Sequence, residues 1–266
     1  MSSVIEASVE PRYREYLPPE PVAQHVVCTW VGRPRTGDVY ADTVFPDGCT
    51  DIVWDGRDLV VAGPDTAPVK LSRDTKTTFV GIRFRPGAGP ALLGTPAAAI
   101  VDSRLLLADL WGVDASELAE RLSARCTEPE ARAALVHAVH RGLESGAPRD
   151  ERMAALVEIL STPRPASLTL IAERLALSER QLHRRCLTAF GYGAKTLQRI
   201  LRFQTFLAAA RTHPTSGLAR LAAACGFADQ AHLSRECIRL GDRTPRELLG
   251  SADDVRFVQD KPSLVL

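Results

Sequence analysis

Arg180, Gln181, His183 and Arg184 fall within five residues of one another, and Gln230, Ala231, Ser234 and Arg235 repeat that density about fifty residues later. Arginine presents a rigid fork of N–H donors that matches a guanine edge or a phosphate, and glutamine offers the paired donor and acceptor that adenine requires. The second group follows the i, i+1, i+4, i+5 spacing that shares one face of a helix. The chemistry within reach of these residues is recognition of base edges and phosphates rather than bond-making. The rival reading, an enzyme or a metal or redox sensor built on the N-terminal region with a DNA-binding tail, finds no nucleophile elbow, phosphate-binding glycine loop or three-ligand metal set in the sequence.

Each group needs a helix that buries its other face. In the first, Leu182, Cys186 and Phe190 recur every four residues and must point inward, Ser178 offers a hydroxyl to cap the helix, and a short helix at 170–175 precedes it across Ala176-Leu177. In the second, Leu218, Leu221, Ala222 and Ala223 predict the leading helix and Cys225-Gly226-Phe227 the turn. Asp229 is the expected cap, and Leu233 and Cys237 the buried side. Thr244-Pro245 predicts one more short helix, and 195–211 a continuous helix of roughly 25 Å at 1.5 Å per residue between the two pairs. The recognition helices are thus expected at about 178–190 and 229–240.

Charge is distributed in the same way. Residues 151–250 hold 15 Lys/Arg against 8 Asp/Glu, residues 1–150 hold 16 against 21, and the tail 251–266 holds 2 against 3, so a chain of net charge +1 has one basic region. That region suits a polyanion. A non-specific architectural DNA binder is the other reading of such a region, but two base-reading faces in a module of modest charge favour specificity.

Upstream, short stretches rich in β-branched and aromatic residues at 26–31, 39–45, 50–54, 59–62 and 77–84 alternate with Gly32-Arg33-Pro34, Pro46-Asp47-Gly48, Asp55-Gly56 and Gly63-Pro64-Asp65. Such spacing predicts an antiparallel sheet or small barrel. Helical periodicity starts near Leu105, with Ser116 expected to cap one helix and Glu128-Pro129 to open another, and 144–148 reads as a linker. The expected fold is therefore α+β. A small N-terminal antiparallel sheet or barrel with accessory helices occupies 1–148, an all-α double helix-turn-helix module 149–250, and a tail 251–266. Trp30, Phe45, Trp54 and Phe84, with Phe79, are candidates to line an effector pocket, against the alternative that aromatic strand residues form core. Cys28, Cys49, Cys126, Cys186, Cys225 and Cys237 stand singly and read as reduced thiols, although Cys28 and Cys49 are candidate sensors. The pairs His25 with Cys28 and His137 with His140 supply two ligands each, short of a metal site, so no metal or cofactor is expected. The absence of a spanning apolar run or signal segment points to the cytoplasm.

The second unit, Ala224-Cys225-Gly226-Phe227-Ala228-Asp229-Gln230-Ala231-His232-Leu233-Ser234-Arg235, with Gly241 and Thr244-Pro245-Arg246-Glu247, resembles the signature of the bacterial AraC/XylS transcription regulators. The first unit, 175–191, fits that family's less distinctive half. Phe45-Pro46-Asp47-Gly48-Cys49-Thr50-Asp51 and Gly81-Ile82-Arg83-Phe84-Arg85-Pro86-Gly87-Ala88 resemble a sensor-like domain found ahead of this module. The resemblance implies an activator or repressor whose two recognition helices enter successive major grooves. Position by position, it assigns base reading to Arg180, His183, Arg184, Gln230, Ala231, Ser234 and Arg235; Gln181, expected on the same outward face, is a further candidate DNA contact. The implied partners are double-stranded promoter DNA, RNA polymerase and a small-molecule effector; the apolar faces of the helices within 105–144 suit a second copy of the chain or, equally, packing on the sheet. Cys186 and Cys237 stand where the family more often has Phe, and Gly193-Ala194 where it has Ser-Pro.

Overall fold

A computed structural model describes residues 13–33, 40–73, 77–123, 126–146 and 149–250. The N-terminal part runs β1 (Tyr13–Tyr16), α1 (Glu20–Ala23), β2 (Val26–Gly32), β3 (Tyr40–Val44), β4 (Thr50–Trp54), β5 (Leu59–Ala62), β6 (Val69–Arg73) and β7 (Phe79–Phe84). It continues with α2 (Gly89–Leu93), a 3-10 turn (Ala97–Ala99), β8 (Arg104–Leu106), α3 (Ala108–Trp111), α4 (Val113–Ser123) and α5 (Glu128–Glu144). Six strands form one antiparallel sheet in the order β1-β2-β7-β4-β5-β8, and β3 pairs with β6 in a second. The molecule is α+β, as the sequence predicts.

Alternation along the strands assigns the two faces of the large sheet. Ile52, Trp54, Val61, Val80, Ile82 and Phe84 form a core with Leu118, Leu122, Leu135 and Val139 of α4 and α5. The opposite face carries Cys28, Trp30, Phe79 and the buried Arg83. Trp30 lies across Gly81, where an added Cβ would fall 2.2 Å from the indole, so only glycine admits the ring there. Arg83, 2 % exposed, donates from Nε to both carboxylate oxygens of Asp51 at 3.1 and 3.3 Å, with Glu15 and Asp47 at 3.6 and 3.7 Å.

Two boundary expectations are corrected. Ser116 does not cap a helix: α4 begins at Val113, directly after Gly112 closes α3 with φ +58, and the Ser116 hydroxyl points back to the Gly112 carbonyl at 3.5 Å. The predicted strand at 77–84 starts at Phe79. Strands β1, β6 and β8 were not expected, since each is short and lacks a dense β-branched run. Val39, part of the expected linker (Ala147 and Pro148) and the tail 251–266 lie outside the described residues.

The C-terminal part is helical throughout: α6 (Glu151–Leu160), α7 (Leu168–Arg174), α8 (Glu179–Phe190), α9 (Ala194–Thr212), α10 (Leu218–Ala224), α11 (Gln230–Gly241) and α12 (Pro245–Gly250). Its core gathers Leu156, Leu160, Ile171, Leu182, Phe190, Leu197, Phe203, Phe206, Leu221, Leu233 and Leu240 around α9. Phe45 joins this core from the N-terminal part, edge-on to Phe203 at 5.8 Å. Gln204 Nε2 donates to the Pro46 carbonyl at 2.6 Å, and Lys70 pairs with Asp242 at 2.9 Å. Among the described residues no helix is long and apolar enough to cross a membrane.

Candidate nucleic-acid interface

The first helical pair is built by local chemistry. Ser167 accepts a hydrogen bond from the Leu170 N–H and starts α7. Three residues, Leu175 to Leu177, then reverse the chain, with Ala176 at φ +52. Ser178 caps α8 in a reciprocal box: its Oγ accepts from Gln181 N at 3.2 Å, and Gln181 Oε1 accepts from Ser178 N at 2.8 Å. Leu182, Cys186, Ala189 and Phe190 are buried, whereas Arg180, Gln181, His183 and Arg184 are all exposed. The structure thus places the four predicted residues on the solvent side of one helix, near its N-terminal end. There the free N–H groups and helix dipole favour phosphate. Gln181 also has a second task, since its carbonyl oxygen holds the cap.

The second pair repeats the construction with different residues. Gly226 takes φ +77 in the turn, and a Cβ there would fall 1.8 Å from the Pro163 carbonyl oxygen. Asp229 caps α11 by accepting from His232 N at 2.6 Å. His232 is drawn inward: its Nδ1 accepts from Ala228 N at 3.3 Å, and its ring stands edge-on to Phe227 at 5.4 Å. Leu233, Glu236, Cys237 and Leu240 face the core. Gln230, Ala231 and Arg235 are exposed, and Ser234 is half-buried, with its hydroxyl donating to the Gln230 carbonyl at 2.9 Å. Thr244 and Glu247 form a further reciprocal cap on α12.

Helix α9, 19 residues and about 28 Å long at 1.5 Å per residue, joins the two pairs. It buries Leu197, Ile200, Leu201, Phe203, Phe206 and Leu207 against them. Its N-cap, Gly193, supplies no side-chain hydrogen bond, as expected where Ser-Pro is replaced. Arg202 of α9 ties into the second turn, with Nη1 3.4 Å from the Gly226 carbonyl and its guanidinium 5.5 Å from the Phe227 ring.

Sequence reasoning missed how the C-terminal half of α8 is used. Ala189 and Phe190 rest on Gly87, and the following Gly191 meets Ala97 and Val101. Arg184 lines a cleft of about 780 Å³ whose other walls include Arg149 and Arg152 and the segment Gly87 to Pro96. Asp150 caps α6 through Arg152 N and Met153 N and also accepts from Arg185 Nη1 at 2.6 Å. Apart from the local cap on α6, these contacts join segments far apart in the chain, so no local pattern signals them.

The four effector-pocket candidates are not brought together. Trp54 and Phe84 lie in the core under α4 and α5, Trp30 lies on the opposite sheet face, and Phe45 packs on α9. All six cysteines are free. Burial pushes the Cys186 and Cys237 thiols up to about 12 and Cys225 up to about 11, and it raises Cys28 and Cys49 as well, which keeps these thiols protonated and poorly nucleophilic. Among the described residues no three His, Cys, Asp or Glu side chains gather as a metal-ion site.

Residues 171–251 match a family described as a helix-turn-helix domain, and residues 14–106 match one described as a domain of unknown function (DUF6597). No curated protein matches the chain. Among solved structures, several of ToxT from Vibrio cholerae are similar. One has 13 % identity and a TM-score of 0.46 over 84 % of this chain and 97 % of that one. A second, from strain O395, has 12 % and 0.44 over 92 % and 99 %. A third, with unsaturated fatty acid bound, has 16 % and 0.42 over 82 % and 93 %. With two capped helical pairs around one long helix and the match over 171–251, the chain carries an AraC-type helix-turn-helix domain behind a domain of unknown function.

Proposed function

We propose that the chain binds one promoter site sequence-specifically, with α8 and α11 in successive major grooves on the same side of the duplex. Arg180, Gln181, His183 and Arg184 read or grip the first groove, and Gln230, Ala231, Ser234 and Arg235 the second. The observation that carries this reading is the exposure of seven of these eight side chains on two helices whose opposite faces are buried. Mixed amide, hydroxyl, methyl and guanidinium groups suit base discrimination, because each base pair presents its own donor and acceptor pattern in the major groove. The rod α9 supports the spacing, since its length is commensurate with the roughly 34 Å between equivalent grooves one turn apart.

In this reading residues 149–250 form the DNA-binding unit, and residues 1–148 sense a signal or mediate self-association. An effector would act by its differential affinity for two arrangements of the docked parts. Competition between a selected site and random-sequence DNA at physiological salt tests the proposal. Specific binding is expected to exceed non-specific binding by at least about a thousandfold. Equal competition by random DNA would leave only an architectural binder.

A further inference from the structure

The outer flank of α5 carries a cavity remote from the DNA-facing helices. Arg132, Val136 and His140 repeat at four-residue intervals, with Pro129, Ala133 and His137 beside them, so one flank of the helix forms a continuous wall. Leu17, Pro19 and Pro21, between β1 and the end of the first turn of α1, form the facing wall, and Thr29 of β2 completes a cavity of about 400 Å³. Small-ligand sites occupy roughly 300–1,000 Å³.

The walls are chemically one-sided. Proline has no N–H to offer, and Leu17, Ala133 and Val136 add only apolar surface; Leu17 is 93 % exposed at this edge. The polar groups are Arg132, His137, His140 and Thr29, and no carboxylate is among the lining residues described. The Arg132 guanidinium sits over the Tyr16 ring, its central carbon 3.5 Å from the ring centroid. Its Nη1 reaches Thr29 Oγ1 only at 3.5 Å, the limit of a hydrogen bond, and its buried Nε has no partner among the described residues. Of the acids on α5, Glu128 pairs with Arg33 and Glu130 with Thr127, while Glu144 lies 3.6 Å from His140 Nε2, and the buried His140 Nδ1 has no partner among the described residues. A guanidinium held by stacking, with an N–H directed at no acceptor, has the geometry to receive an anion.

We propose that this cavity binds a small monocarboxylate with an apolar body. The carboxylate sits on Arg132, and the hydrocarbon lies against Leu17, Pro19, Pro21 and Val136. One guanidinium, the only permanent cation among the lining residues described, matches the single charge of a carboxylate, whereas a phosphate dianion would leave one charge uncompensated.

Isothermal titration of the full chain with phenylacetate and hexanoate, and with the uncharged phenylacetamide and hexanamide, tests it. The acids are expected to bind, the amides about tenfold or more weakly. Arg132→Gln should remove the difference between acid and amide. Ala133→Trp, at an exposed position, should fill the cavity and abolish binding of both. Acids and amides that bind alike, acid binding that survives Ala133→Trp, or no binding of either acid at roughly 10 mM overturns the proposal. Should Arg132→Gln fail to fold, Ala133→Trp decides. No DNA enters the titration, so its result stands apart from that of the promoter reading.

Discussion

Arg184 shows how exposure and chemistry separate at the level of one residue: it is exposed on α8, yet it also borders the cleft shared with Arg149 and Arg152. The exposed faces were legible in the sequence because the buried residues on α8 and α11 recur at helical spacing and leave only one side free. The fate of His232 was not legible, since its bond to Ala228 N depends on the shape of the turn before it. Gly226 makes the sharpest residue-level prediction. An alanine there must adopt φ +77 with its Cβ 1.8 Å from the Pro163 carbonyl oxygen, so Gly226→Ala should lower stability by at least about 2 kcal/mol. Urea unfolding would measure it, and an unchanged midpoint would contradict this packing. His25 offers a pH signature. Both its ring nitrogens are buried without partners, and burial first, then Arg149, holds its pKa below the usual 6.5. The native state therefore keeps it neutral while the unfolded chain takes up a proton as pH falls below about 6.5. Stability should be intact above that pH and decline as pH drops from there toward the lowered native value. A smaller acid-side decline is expected in His25→Gln, followed by thermal unfolding across that window.

Caps dominate at the level of the element. Ser178, Asp229 and Thr244 were readable because a cap is a local event, decided by one side chain and a backbone N–H two or three residues on. Ser116 misled for the same reason: its type suits a cap, but Gly112 had already turned the chain and α4 had begun. Strands β1, β6 and β8 escaped notice because their pairing comes from the neighbouring strand rather than from their own composition. Asp150 combines a cap with a long-range ion pair, starting α6 and holding Arg185 of α8 at 2.6 Å. Asp150→Ala should destabilise the protein by about 1–3 kcal/mol, and Asp150→Ser, which keeps a capping hydroxyl, should recover about 1 kcal/mol of that. Thermal unfolding of the two variants separates cap from ion pair, and equal losses would show that the cap contributes little.

Across the whole molecule, the two parts are docked as well as linked. Phe45 sits in the C-terminal core, Gln204 bonds to Pro46, and Gly87 receives Phe190. The change of composition and charge near residue 150 coincides with the passage from the strand-containing part to the helical part, whereas this docking was not legible, since it pairs loops with helices more than a hundred residues away. A fragment of residues 149–250 is expected to fold and to bind the same site. It should melt at lower temperature than the full chain, because Phe203 and Leu197 lose the cover of Phe45 and the loop at Gly48. A soluble but unfolded fragment would place the boundary elsewhere. The central claim is that two separate helix faces read two turns of one duplex. Selection of bound sequences from a random duplex pool, run with the native chain, Arg184→Ala and Arg235→Ala, tests it most directly. The account predicts two preferred blocks about 10–10.5 base pairs apart, with Arg184→Ala relaxing one block and Arg235→Ala the other. A single block, or both substitutions relaxing the same one, would contradict it.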